Sequence, residues 1–278
     1  MRATILTYHA LNIAGNGYSD NDHVAFATDL DRIHALGRRI VPLDWIVEER
    51  LGRSDRDLSD AVALTCDDGS DFDYFDIDHP AYGRQRSLFN ALIDFRRRHG
   101  VDAQPDLHLT SFVIASPAAR EVLDRRCLAG RDWMRDAWWR AALASRLMAI
   151  ENHSWDHNHA ELPETAQRDQ VKGTFRSIDT HADADAEIRQ ASDWLDARCP
   201  SRATSLFAYP YGETNDYLTG EYFPHHASEH RLRAAFGTEP APVDAGSDLW
   251  NLPRYVCGHH WSTPGELERI LGETRSPS

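Results

Sequence analysis

No C-x-x-C pair occurs among the four cysteines, Cys66, Cys127, Cys199 and Cys257, which stand far apart in the 278-residue chain. Their scatter argues against a cysteine zinc site and a disulfide framework, and reduced thiols suit a cytoplasmic protein. No apolar run approaches the length of a membrane span. The opening Met1-Arg2-Ala3-Thr4-Ile5-Leu6-Thr7-Tyr8-His9 moves straight into a strand pattern. It lacks the apolar core and small-residue cleavage site of a secretory signal, so a cytoplasmic location is the expectation. Positive charge is also scarce, with 30 Lys and Arg against 44 Asp and Glu and a formal net charge of −14. That balance disfavours nucleic acid or an anionic membrane as a partner and suits a neutral or cationic ligand. At 41% hydrophobic and 27% charged the composition is that of a globular chain, neither disordered nor fibrous. Nothing in it sets an oligomeric state.

Short apolar runs alternate with helical patterns along most of the sequence. Ala3 to Tyr8 reads as a strand, and Phe26, Leu30, Ile33 and Leu36 recur at helical spacing until Gly37. Ala61-Val62-Ala63-Leu64 is a further strand, Leu88, Leu92 and Phe95 mark a helix closing at Gly100, and Leu107 to Ile114 is the strongest strand pattern. Helices are expected over about 132–148 and 182–197, with strands at Leu206 to Tyr209 and Tyr255 to Cys257. Thr263-Pro264-Gly265-Glu266 has the form of a capping box opening a last helix. Repeated β-then-α order implies an α/β protein with a parallel sheet or barrel, and the length suits one core.

Thr65-Cys66-Asp67-Asp68-Gly69 places two adjacent carboxylates where a strand runs out into a glycine turn. Asp-Asp-Gly is ordinary turn chemistry, but strand ends are also where α/β proteins do chemistry, and two neighbouring carboxylates can divide labour between metal ligand and base. After the pair comes a segment of about fifteen residues, Ser70 to Arg84, rich in Asp and aromatic residues. It reads as an acidic, solvated loop, with a substrate-facing lid as the alternative.

Glu151-Asn152-His153-Ser154-Trp155-Asp156-His157 carries histidines at i and i+4, which on a helical turn share one face and can reach one divalent ion. His226 and His230 repeat that spacing in a polar segment and read as a surface feature. Two histidines and a carboxylate form a three-ligand set with positions left for water, as a catalytic metal requires.

Thr65-Cys66-Asp67-Asp68-Gly69, His153-Ser154-Trp155-Asp156-His157 and Phe207-Ala208-Tyr209-Pro210-Tyr211-Gly212, in that order, resemble the first three motifs of the polysaccharide deacetylases, the NodB-homology family of carbohydrate esterases. The resemblance spans about residues 1–272, with an acidic insertion at about 70–85 and a tail at 273–278. It implies a distorted (β/α) barrel and a metal-dependent hydrolase that removes an N-acyl group, acetyl first, from an amino sugar or glycan precursor. By motif position Asp68, His153 and His157 would hold the metal, Asp67 would be the base, and the backbone N–H of Tyr211 would face the oxyanion. Such a donor set suits Zn2+, and Co2+, Ni2+ or Mn2+ would also fit.

Three positions depart from the motifs. Cys66 replaces an aromatic residue and should point into the core as an inert thiol. Ala208 stands where many members carry an arginine that orients the base; Arg254 is the candidate replacement, with a surface salt bridge as the other reading. The late histidine that acts as general acid has two candidates, His259 and His260. In an extended segment His260 shares a face with Arg254, which favours His260. Trp133, Trp138, Trp139, Trp250 and Trp261 read first as core and second as sugar-stacking platforms. Two other functions fit the same residues: an amidohydrolase for a non-sugar or cyclic amide, and a catalytically silent glycan-binding protein.

Overall fold

The computed structural model describes residues 2–128, 130–162 and 171–273. Its strands are β1 (Thr4–Tyr8), β2 (Arg39–Ile40), β3 (Ala61–Cys66), β4 (Ile77–His79), β5 (Gly83–Gln85), β6 (Leu109–Val113), β7 (Met148–Asn152), β8 (Leu206–Ala208), β9 (Ala234–Phe236) and β10 (Tyr255–Val256). β4 and β5 form a separate antiparallel hairpin. The others build one parallel sheet in the order β10-β1-β3-β6-β7-β8-β9, with β2 also on β3. This curled parallel sheet with its helices is a distorted (β/α) barrel. Of the tail expected at 273–278, Glu273 still belongs to the last helix, and residues 274–278 lie outside the described residues.

Strand alternation divides most apolar strand side chains between two clusters, with Phe207 and Ala235 entering a third. Leu6, Leu64, Leu109 and Ile150 enter one cluster, and Ile5, Ala63, Phe112 and Leu206 the other. Against the first lie α1 (Asp22–Ala35) and α2 (Leu88–His99). Ser87 caps α2 by accepting from the N–H of Asn90, and Gly100, at φ 86°, ends it where the sequence expects. The last helix, Pro264–Glu273, opens on the expected reciprocal cap. The Glu266 carboxylate accepts from the N–H of Ser262 and Thr263, and Thr263 Oγ1 accepts from the N–H of Glu266. No helix of the described residues is long and apolar enough to cross a membrane.

The helix expected over 132–148 is mostly absent. Only Trp139–Ser145 is helical there, Arg146 leaves it in a left-handed conformation, and Met148 already belongs to β7. The chain before it is pinned elsewhere: the Asp124 carboxylate accepts from the N–H of Asp132 and Trp133. Asp124 belongs to a helix that the sequence expectations do not include, Pro117–Cys127, capped by Ser116. Over 182–197 the expected helix is present, interrupted by a π segment at Asp185–Arg189.

A buried carboxylate ties the first strand to the C-terminal turn. Asp29 accepts from Tyr8, Tyr18 and Trp261 at 2.9, 2.5 and 3.2 Å. Burial outweighs these bonds and pushes its pKa up to about 7. Below the unfolded-state value near 3.9 both states hold the proton and Asp29 costs nothing. As pH rises from there to the folded value the unfolded chain binds fewer protons than the folded one, and stability on the order of 4 kcal/mol is lost by the time the folded value is passed. Asp29→Asn should therefore flatten the fall in unfolding free energy between about pH 4 and 8, measured by urea titration. An unchanged slope would count against this role.

Candidate active site

Register brings the site together at one edge of the sheet. Tyr8 pairs with Cys66, Cys66 with Ser111, Val113 with Asn152, Asn152 with Phe207, Ala208 with Phe236, and Thr7 with Val256. The residues just past these pairs are His9, Asp67 and Asp68, Ile114, His153, Tyr211 with Gly212, Thr238 and His259. All of them line one cavity of about 430 Å³. This is the carboxyl-end rim where barrels place their chemistry.

Asp67 is only 4% exposed. Its two oxygens accept from Nη1 and Nη2 of Arg254 at 2.8 and 2.9 Å. Arg254 is fully buried, donates Nε–H to the carbonyl of Gly237, and lies 5.4 Å from the ring centroid of Phe112. The guanidinium missing at Ala208 thus arrives from a different element, as a buried bidentate pair and not as a surface salt bridge. Burial by itself would raise the Asp67 pKa, but Arg254, followed by His153, holds it down at about 2.

Asp68 and Gly69 both have positive φ, 76° and 74°. A Cβ on Gly69 would come within 2.4 Å of Val113 Cγ1, so only glycine lets the turn pass over β6. The turn aims Asp68 at two imidazoles, with its Oδ1 3.7 Å from His153 Nε2 and 3.8 Å from His157 Nε2. The histidines do not meet on a helical turn, as the i, i+4 spacing suggested. β7 ends at Asn152, and the chain then folds back through left-handed Ser154 and His157. That turn is held by the Asn152 side chain, which accepts from the N–H of Ser154, and by Ser154 Oγ, which accepts from the N–H of His157. Asp156 closes it by accepting from the N–H of Asn158.

The donor set fits a divalent cation. One oxygen of Asp68 and one nitrogen each of His153 and His157 lie within 4.8 Å of one another. His153 Nδ1 lies 2.9 Å from the carbonyl of Ala208. A carbonyl only accepts, so the proton sits on Nδ1 and the Nε2 lone pair faces Asp68, the usual outer support of a metal-ligating histidine. Burial, then the neighbouring His153 and His159, holds His157 well below the ordinary histidine pKa, which keeps its imidazole neutral.

Tyr211 follows Pro210 with φ 60°, and its ring meets His157 edge to face at 4.4 Å. Gly212 beside it is packed so closely that a Cβ would lie 2.0 Å from Thr238 Oγ1. Cys66 is fully buried with Sγ 3.3 Å from Asp73, and burial raises its thiol pKa well above the ordinary value, in keeping with an inert thiol.

Other expected placements change. The chain does not stay extended after β10; it turns at Gly258, with φ 74°. His259 therefore lines the cavity and His260 does not. His260 Nδ1 instead accepts from the N–H of Val256 at 2.8 Å and closes the turn. The acidic segment is not a simple solvated loop: Asp71 and Asp73 are buried, Asp71 paired with Arg135 and Asp73 accepting from Ser111 and Ser70. None of residues 70–85 lines the cavity; Asp73 instead meets Cys66, the residue before the Asp pair, and Ser111 of β6. His226 and His230 are not a surface pair either. His230 is fully buried, while His226 turns to Glu229, which also meets His181 at 3.2 Å. Trp133, Trp138, Trp139 and Trp261 are core, and Trp250 stacks on Phe223. His9 and His159 line the cavity without having been singled out. For His9 the position at a strand end was a readable signal; for His159 the turn geometry was not.

A family model described as polysaccharide deacetylase matches residues 55–222. The fold is shared with the Streptococcus pyogenes deacetylase PplD, solved in complex with acetate, at 18% identity and a TM-score of 0.62 over 98% of each chain. It is shared with IcaB from Ammonifex degensii at 16% identity and a TM-score of 0.63, over 99% of this chain and 97% of that one. A de-N-acetylase from Aggregatibacter actinomycetemcomitans matches at 12% identity and a TM-score of 0.61, over 97% of this chain and 100% of the other. No curated protein matches the chain in sequence. Since the family match covers more than half of the sequence and carries both the Asp pair and the His pair, the chain belongs to the polysaccharide deacetylase family.

Proposed function

We propose that this protein is a metal-dependent hydrolase that removes an N-acyl group, acetyl first, from an amino sugar or glycan. The observation that carries the reading is the convergence of Asp68, His153 and His157 on one wall of a cavity that also holds Asp67. A divalent cation on those three residues supplies Lewis acidity, which lowers the pKa of water and polarises an acyl carbonyl, with Zn2+ the best match to two imidazoles and a carboxylate.

The chain's own residues account for the proton movements. Arg254 keeps Asp67 ionised at neutral pH, so Asp67 is ready to take a proton from the attacking water. The water oxygen bonds to the carbonyl carbon, and the N–H of Tyr211 donates to the oxygen that gains charge. The C–N bond then breaks, and the departing nitrogen takes a proton from a histidine. Its cavity-lining position supports His259 over His260 for that last role.

His259→Ala should lower kcat by roughly 100-fold or more, the usual worth of a general acid. His260→Ala should act mainly on stability, since it removes the acceptor for the N–H of Val256. Initial rates of amine release from N-acetylglucosamine oligomers, with melting curves alongside, separate the two. Full activity in His259→Ala with loss in folded His260→Ala would reverse the assignment, and no amine release by metal-loaded wild type would defeat the reading.

A further inference from the structure

The cavity has two chemically distinct walls. One carries Asp67, Asp68 and the histidines. The other is mainly aliphatic, built from Leu11 after β1, Ile114 after β6, Leu123 in and Leu128 just beyond the Pro117–Cys127 helix, and Met134, with Cys127 of that helix also lining the cavity. Ile114, Leu123 and Met134 belong with Ala119 and Leu162 to a small apolar cluster separate from the two sheet clusters, and Leu11 and Leu128 pack against it. The geometry points to a substrate that bears an apolar group of several carbons next to the scissile amide, seated on this wall. The inference rests on the N-acyl hydrolase reading above and narrows its substrate class.

Three observations support it. The wall adjoins the metal-binding group within one cavity, so whatever is cut at the polar side reaches the apolar side. Apart from the Cys127 thiol, a weak donor and acceptor, its side chains offer no partner to a sugar hydroxyl, and a hydroxyl buried there unpaired is disfavoured. Nor is it an aromatic platform for a sugar ring. Tyr211 is the one Phe, Tyr or Trp among the described lining residues, and it stands edge to face against His157. An acetyl methyl needs far less aliphatic surface than five side chains from four segments provide. A flexible acyl or alkyl chain uses it fully.

That chain could hang from the substrate's nitrogen or from its anomeric oxygen, and two substrate series distinguish these. The first is glucosamine N-acylated with acetyl, butanoyl or hexanoyl; the second is N-acetylglucosamine carrying a methyl, butyl or octyl aglycone. In the series that matches, kcat/KM for amine release by the metal-loaded protein should rise about three- to fourfold per added methylene until the wall is covered. Leu128→Asn and Leu11→Asn, both at half-buried positions, should flatten that rise. Amine release that is equally fast along both series would overturn the inference while leaving the N-acyl hydrolase reading intact. A rise that persists undiminished in both folded variants would overturn the assignment to this wall. No release from any member would overturn both.

Discussion

Replacing Arg254 by methionine is expected to lower the unfolding free energy by about 3–5 kcal/mol, because it strands a buried carboxylate rather than removing an ion pair cleanly. Asp67 would lose both guanidinium bonds, and the carbonyl of Gly237 would lose its donor. Methionine restores bulk against Phe112 but not charge. With Arg254 gone, the burial that now opposes ionisation of Asp67 goes unanswered and its pKa moves up from the depressed value. Under the proposed mechanism the rate should also fall, by roughly 100-fold, the lower range for a disabled general base. Arg254→Lys should recover only part of either loss, since an ammonium cannot offer two parallel donors to one carboxylate. The pair also predicts strong non-additivity, with Asp67→Asn/Arg254→Met costing less stability than the two single changes summed. Denaturant titration of the four proteins measures this, and additive losses would show that the two residues do not act together.

The second large effect concerns the cation. Zn2+ should raise the thermal midpoint of the wild-type chain, since a ligand that binds only the folded state at a hundredfold excess over its Kd adds about 2.7 kcal/mol. His157→Ala and His153→Ala each remove one of three ligands. They should weaken metal affinity well beyond the 10- to 100-fold typical of losing an outer support, and abolish the thermal shift. Treatment with a chelator should silence amine release, and Zn2+ or Co2+ should restore it. Calorimetric titration of the metal-free protein is the check. Affinity that survives His157→Ala would place the cation elsewhere, and the exposed His181, His226 and Glu229 group would be the alternative to examine.

What the sequence made legible was local. The Asp pair could be read because a strand pattern feeds it directly, and the fold class because apolar runs and helical periods alternate. The partner of Asp67 could be suspected in Arg254 after Leu252-Pro253, which in the structure stands just before β10. The failures share a physical cause, which is that local pattern lost to distant contacts. The 132–148 stretch has helical composition, yet Asp124 captures its backbone N–H groups and Arg146 breaks it. The His153/His157 spacing suggested a helical turn, but a left-handed Ser154 and a serine bridge create the same convergence. Alternation argued for His260 only while the segment stayed extended, and the positive φ of Gly258 swings His259 to the cavity instead. Asp71 and Asp73 looked like solvent-facing charge because their partners, Arg135 and Ser111, lie far along the chain.

If Asp67 acts as a base beside a cation held by Asp68, His153 and His157, then Asp67→Asn should lose turnover without losing the metal. Amine release from N-acetylated sugars and Zn2+ affinity, measured on the same preparation, should show kcat down by about 100-fold or more with Zn2+ still bound. Undiminished turnover in the folded, metal-loaded variant would contradict it.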